Sequence, residues 1–183
     1  MVALPLTQES EQYGRRLKGR YDKKGIKDAF TSKRTDKRWT GHAVEYELHQ
    51  WFKREGIPHH WYDDGAASKV SEDFALGEPP ELKLAVKANS GDGPRGDFVF
   101  IVQEHHARKL GHGILFCIVQ VRARQIWLAG YMDAEVFRSR ADKFDRGETI
   151  PHLGRPAEYP CRTIRADALE PAERFVDMVR RTL

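Results

Sequence analysis

Cysteine is almost absent: Cys117 and Cys161 are the only two in 183 residues. That excludes a disulfide-built scaffold and favours a reduced, cytoplasmic compartment. Histidine is commoner, with adjacent pairs at 59–60 and 105–106, but no Cys or His set has the spacing of a structural zinc site. No apolar run approaches the ~20 residues that span a bilayer, so no membrane partner is expected. The opening Met-Val-Ala-Leu-Pro-Leu lacks the charged start of a signal peptide. The chain has no Gly-Lys-Ser/Thr phosphate cradle, no Gly-x-Ser-x-Gly frame, no internal repeat and no low-complexity tract. Phosphate-loop nucleotide chemistry and serine-hydrolase chemistry are therefore poor readings.

What is present suffices for one folded domain with a real core, at 40% hydrophobic and 10% aromatic residues. The net charge of +4 is unevenly spread. Between Gly14 and Arg38, eleven Lys and Arg stand against three Asp, a local balance of +8, and the remainder sums to −4. Such a basic segment, which includes Arg15, Arg16, Lys18, Arg20, Lys23 and Lys24, suits a grip on a nucleic-acid backbone; a solvated arm is the alternative. Residues 1–13 read as flexible. Residues 1–40 then form a basic N-terminal arm, ahead of a domain over 41–183.

Thr40 or Gly41 is placed to cap an amphipathic helix from His42 to Glu55, because Val44, Leu48, Trp51 and Phe52 make one stripe. Gly56 should end it. Strands are predicted over 57–62, near 70–76 and near 81–88, with a turn at 63–65. The breaker-rich loop 89–96 contains Arg95, which could neutralise a phosphate. A short apolar strand at 97–102 leads into a helix through Leu110. The continuous apolar run 114–119 predicts a strand covered on both faces. A strand at 126–132, a helix near 133–143 and a C-terminal helix begun by Pro171 complete the order. The pattern predicts an α/β fold with a mixed central sheet flanked by helices.

Residues 70–88 carry the chemistry. Leu82, Leu84 and Val86 are aliphatic, so Glu81, Lys83, Ala85 and Lys87 share the other face. Two lysines and a carboxylate on one face, beside Asp73 from the hairpin partner, suggest a divalent-metal site that cuts a phosphodiester.

A helix with an internal Glu in the setting Gly41-His-Ala-Val-Glu45, a hairpin with Asp73, and a strand ending Val86-Lys87-Ala88 resemble the PD-(D/E)XK nuclease superfamily. That superfamily includes restriction endonucleases and Holliday-junction resolvases. The resemblance covers about residues 41–175 and rests on short motifs. It implies a restriction-endonuclease-like αβββαβ core and a DNA endonuclease dependent on Mg²⁺ or Mn²⁺. It also allows a homodimer, on analogy alone. The pattern wants an Asp, then an acid two residues before a Lys on the neighbouring strand. The acids hold the metal, and the Lys orients water or offsets developing charge.

Two registers satisfy this in part. One is Asp73 with Glu81-Leu82-Lys83; the other is Asp73 with Ala85-Val86-Lys87, in which alanine stands at the acidic position. Placing Asp73 opposite Glu81 would put Pro79 and Pro80 inside paired strand, where proline is poorly tolerated. A loop centred on 78–80 brings Asp73 close to Leu84 or Ala85, and pairing with Ala85 favours Lys87 over Lys83. Three readings of the second acid stay open. Glu81 reaches the metal through a bulge; or another acid supplies it, Glu45 first, with Glu47 on the opposite flank of the same helix and Glu72 or Asp97 behind; or the domain no longer cuts. In the last case the chain is a nucleic-acid-binding or assembly protein that kept the fold. An RNA-directed nuclease is a third possibility.

Overall fold

The computed structural model describes residues 2–23, 38–62, 72–79, 82–91, 95–109, 111, 113–122 and 124–183, with backbone alone at 21–23, 38, 109, 114–117, 120 and 122. The first elements are β1 (Val2–Pro5), α1 (Gln8–Lys23), α2 (Arg38–Arg54), β2 (His59–Trp61), β3 (Phe74–Leu76) and β4 (Leu82–Ser90). They are followed by β5 (Val99–Gln103), α3 (Glu104–Lys109), β6 (Ile114–Arg122) and β7 (Gln125–Asp133). Then come α4 (Ala134–Arg140), β8 (Asp142–Phe144), β9 (Thr149–Ile150), β10 (Arg155–Pro156), β11 (Cys161–Arg165) and α5 (Phe175–Thr182).

Six strands make the main sheet, in the order β1-β7-β6-β4-β3-β2. Only β4 and β6 run parallel, so the chain between them must cross over, which it does through β5 and α3. The predicted α/β class with a mixed sheet and flanking helices is what forms. Unforeseen is the fate of β5, which leaves the main sheet to pair with β11 in a second, three-stranded sheet β5-β11-β8. The helix predicted over 133–143 is shorter than expected. Asp133 caps it, its carboxylate accepting from the amides of Glu135 (2.7 Å) and Val136 (3.3 Å), and after Ala141 the chain turns into β8.

The alternation along β4 sorts the core into two layers. Leu84 and Val86 pack with Val44, Leu48, Trp51 and Phe52 of α2 and with Phe175 and Val179 of α5. Ala85, on the other face, packs with Phe100 and Val102 of β5, Ala107 of α3 and Phe137 of α4. Gly56 terminates the α2 segment with φ +66°, the left-handed geometry that glycine takes without a steric penalty.

The N-terminus corrects the expectation of a flexible start. β1 pairs with β7 from Val2↔Leu128 to Pro5↔Gln125, and Leu4 and Leu6 are buried. Thr7 then opens α1: its Oγ1 accepts from the Ser10 amide (3.1 Å) while Glu47, buried on α2, accepts from the Thr7 amide (2.9 Å) and hydroxyl (2.5 Å). A buried carboxylate needs such donors, and here they tie α1 to α2. The expected boundary near residue 40 falls within α2, and the basic stretch 24–37 lies outside the described residues.

At the α1–α2 crossing a Cβ on Gly14 would run into the backbone oxygen of Trp39 and the amide nitrogen of Ala43. Gly14→Ala should therefore cost about 1–3 kcal/mol, as overpacking against backbone does. Gly19→Ala, where nothing stands within 4 Å of the added carbon, should be neutral or stabilising. Thermal melts of the two variants check this; equal melting temperatures would contradict the packing described.

Candidate active site

β3 pairs with β4 as Phe74↔Leu84, Ala75↔Lys83 and Leu76↔Leu82. The connection is centred on Pro79, as the two prolines favour, and the regular ladder stops at Phe74. Asp73 does not continue it opposite Ala85: its amide donates to the Leu84 carbonyl at 2.9 Å, so Asp73 and Phe74 both lie against Leu84. Its side chain then replaces the missing strand: Oδ2 accepts from the Val86 amide at 2.6 Å. A side-chain oxygen thus occupies the place of a ladder carbonyl, and the carboxyl is fixed at the edge of the sheet.

Charges gather around that carboxyl from two elements, α2 and β4. Burial is the largest influence and pushes the Asp73 pKa up, the neighbouring negative charge of Glu45 on α2 adds to the rise, and together they carry it to about 7. Lys87 on β4, the Val86 amide and His42 on α2 act in the opposite direction. His42 Nδ1 lies 3.8 Å from Glu45 Oε2, the two separated by one helical turn. Lys87 donates from Nζ to His106 Nδ1 of α3 at 2.7 Å. The cluster is therefore two acids, one lysine and two histidines, delivered by α2, the β3–β4 hairpin and α3.

Other expected site residues lie elsewhere in the fold or beyond the described residues. Lys83 pairs with the buried Glu72 at 3.1 Å, so both are engaged with each other. Asp97 is exposed and faces Arg95 at 3.6 Å. Glu81 lies outside the described residues. Among the described residues, no group of three or more His, Cys, Asp and Glu is gathered closely enough to hold a metal ion by itself. Of the expected phosphate-gripping residues, Arg15, Arg16 and Arg20 are exposed on α1, Lys18 is half-buried, and Arg95 is exposed. The Lys23 side chain and Lys24 lie outside the described residues. Arg15 stacks on Trp39 at 4.5 Å, and Trp39 stands one turn before His42 on α2, so this basic face adjoins the acid cluster.

Sequence reasoning missed His42 and His106 as members of the cluster. The i,i+3 spacing of His42 to Glu45 was a usable signal. His106 had none, because its proximity to Lys87 depends on where the crossover helix lands. His49 and His59, by contrast, bond to each other at 2.8 Å, with His59 Nδ1 donating to the Ile57 carbonyl, inside the α2–β2 contact. That pair belongs to packing.

No family model, curated protein or solved structure matches the chain. Among the described residues no helix is long and apolar enough to cross a membrane.

The raised carboxyl makes a prediction about stability. In the unfolded chain Asp73 ionises near the ordinary value of 3.8, whereas in the fold it keeps its proton to about 7. Folding therefore binds a proton between those limits, so this group's favourable contribution is complete below pH 4 and is lost as pH rises through 7. Asp73→Asn should be more stable than the parent at pH 8, by on the order of 1–3 kcal/mol, and the difference should vanish by pH 4. Urea titrations at both pH values measure it. A difference independent of pH would show that Asp73 is not held protonated by its surroundings.

Proposed function

We propose that the protein is a divalent-metal-dependent DNA endonuclease of the PD-(D/E)XK type. The observation that carries this reading is the convergence of Glu45 and Lys87 upon Asp73, whose carboxylate is held by the Val86 amide. Two like-charged acids held together, one with its ionisation opposed, are the donor set that a cation relieves. Mg²⁺ or Mn²⁺ is commonly held by one or two carboxylates plus water and substrate phosphate, so Asp73 and Glu45 fit the requirement without a third protein ligand. When bound, such an ion polarises the scissile phosphate and acidifies a water.

The chain's own groups do the rest. Asp73 is oriented by the Val86 amide, from which its Oδ2 accepts. Lys87 supplies an ammonium that hydrogen-bonds the attacking water or a phosphate oxygen and offsets negative charge as it develops. Glu45 takes the part of the acid absent at Ala85. The exposed arginines of α1 grip the flanking phosphates.

Supercoiled plasmid, a four-way junction, single strands and RNA, each incubated with Mg²⁺, Mn²⁺ or EDTA, test the proposal. Cleavage of DNA that needs the metal should fall by at least about 100-fold in Asp73→Ala, Lys87→Ala and Glu45→Ala, as expected when a group that stabilises charge in the transition state is removed. Lys83→Ala should stay within a few-fold. Ala85 supports the rival, a nucleic-acid-binding or assembly protein without cleavage: binding with no cutting, unaffected by those substitutions, would establish the rival instead. Replacing Arg15, Arg16 and Arg20 by Ala should flatten the slope of log affinity against log salt by roughly 0.9 for each phosphate no longer neutralised. An unchanged slope would remove α1 from the interface.

A further inference from the structure

The crossover helix α3 brings His106 to the site, and the second sheet lies behind that helix. α3 has six residues, too few to be stable as a helix by itself, so its place is set by contacts. Glu104, buried in its first turn, accepts from Arg162 Nε of β11 at 2.8 Å and from Arg108 Nε at 3.1 Å. Burial works against the Glu104 carboxylate, but these arginines outweigh it and hold its pKa below the usual range. Arg162 also donates from Nη1 to the Arg138 carbonyl of α4 at 2.7 Å. The Glu104 amide donates to the Pro160 carbonyl at 3.0 Å, just ahead of β11. Ala107 packs under the helix against the Ala85 face of the main sheet.

Between these anchors stands His106, whose Nδ1 accepts from Lys87 Nζ at 2.7 Å. A lysine carries four rotatable carbons and a freely turning ammonium, so its direction is set by its acceptors. As an acceptor Nδ1 must carry no proton, which puts the ring proton on Nε2. We propose that His106 is a positioning residue that fixes the Lys87 ammonium toward Asp73, and that the Glu104–Arg162 pair, through α3, makes the second sheet the support for that position. This deepens the nuclease reading and rests on it for the catalytic consequence, while the positioning itself stands on the geometry alone.

The test separates the two. Trace acetylation of the folded protein, read by mass spectrometry, reports the reactivity of Lys87 with Lys83 as the internal reference. An ammonium held by an acceptor is less available to the reagent, so His106→Ala should raise Lys87 acetylation relative to Lys83 by about threefold. His106→Asn, which can offer a side-chain oxygen in place of Nδ1, should return it toward the parent value. In the plasmid assay His106→Ala should lower kcat about tenfold with KM unchanged, as a displaced catalytic group does, and His106→Asn should recover most of it. Acetylation that changes as stated in a protein that cuts nothing would sustain the positioning and sink the nuclease. Cleavage and Lys87 acetylation both indifferent to His106→Ala, in a variant with parental circular dichroism, would overturn the positioning. His106→Asn and His106→Ala behaving alike would overturn it too, by showing that loss of the ring's packing and not of the acceptor is responsible.

Discussion

The bond from the Val86 amide to the Asp73 carboxylate fixes the geometry on which the site depends. β4 runs on to Ser90, but β3 begins only at Phe74, so the ladder would leave an amide of β4 without a strand partner. Asp73 supplies that partner from its side chain. The register that puts it there is held by Phe74, Leu76 and Leu84, all fully buried against α2. A slip of one residue would turn these three out of the core and Lys87 off its face, so the packing that stabilises the hairpin also positions its acid.

β4 is shared by two layers, and the cluster forms where both reach its edge. α2 covers the face of Leu84 and Val86 and contributes Glu45 and His42 from its first half. The parallel pairing of β4 with β6 compels a crossover, and the crossover delivers α3 to the opposite face with His106 beside Lys87. Asp73 lies between, at the boundary of the sheet. Asn89, farther along β4, accepts from the Ile101 amide at 3.0 Å and fastens β5 close to the strand from which it diverges. The second sheet is thus coupled to the main one near the site.

Local periodicity made most of this legible. The stripe of α2, the alternation of β4 and the apolar run of β6 each identify an element, and the two prolines at 79–80 exclude the wrong hairpin register. They also select Lys87 over Lys83. Three things were not legible, each for lack of a local signal. β1 finds its partner in β7, some 120 residues away, and four residues carry no sign of that pairing. The departure of β5 into a second sheet depends on β11, and short apolar strands look alike whichever sheet they join. Glu45 and Glu47 are both helix acids two residues apart. Only the arrival of Thr7 at Glu47 shows that Glu47 is committed to holding α1 while Glu45 is directed toward Asp73.

The electrostatics also bear on the two functional readings. A module that only gripped a nucleic acid would gain from its lysine and exposed arginines and lose from every acid near the phosphates, since like charges repel at close range. Asp73 and Glu45 stand together beside Lys87, less than two turns along α2 from Trp39 and its stacked Arg15. Asp73 in particular is not explained by stability: burial and the neighbouring charge of Glu45 oppose its ionisation, and an amide in its place could still accept from Val86. The pair makes physical sense when positive charge lies between the acids and a phosphate, and a divalent cation shared by carboxylates and substrate is the arrangement that supplies it.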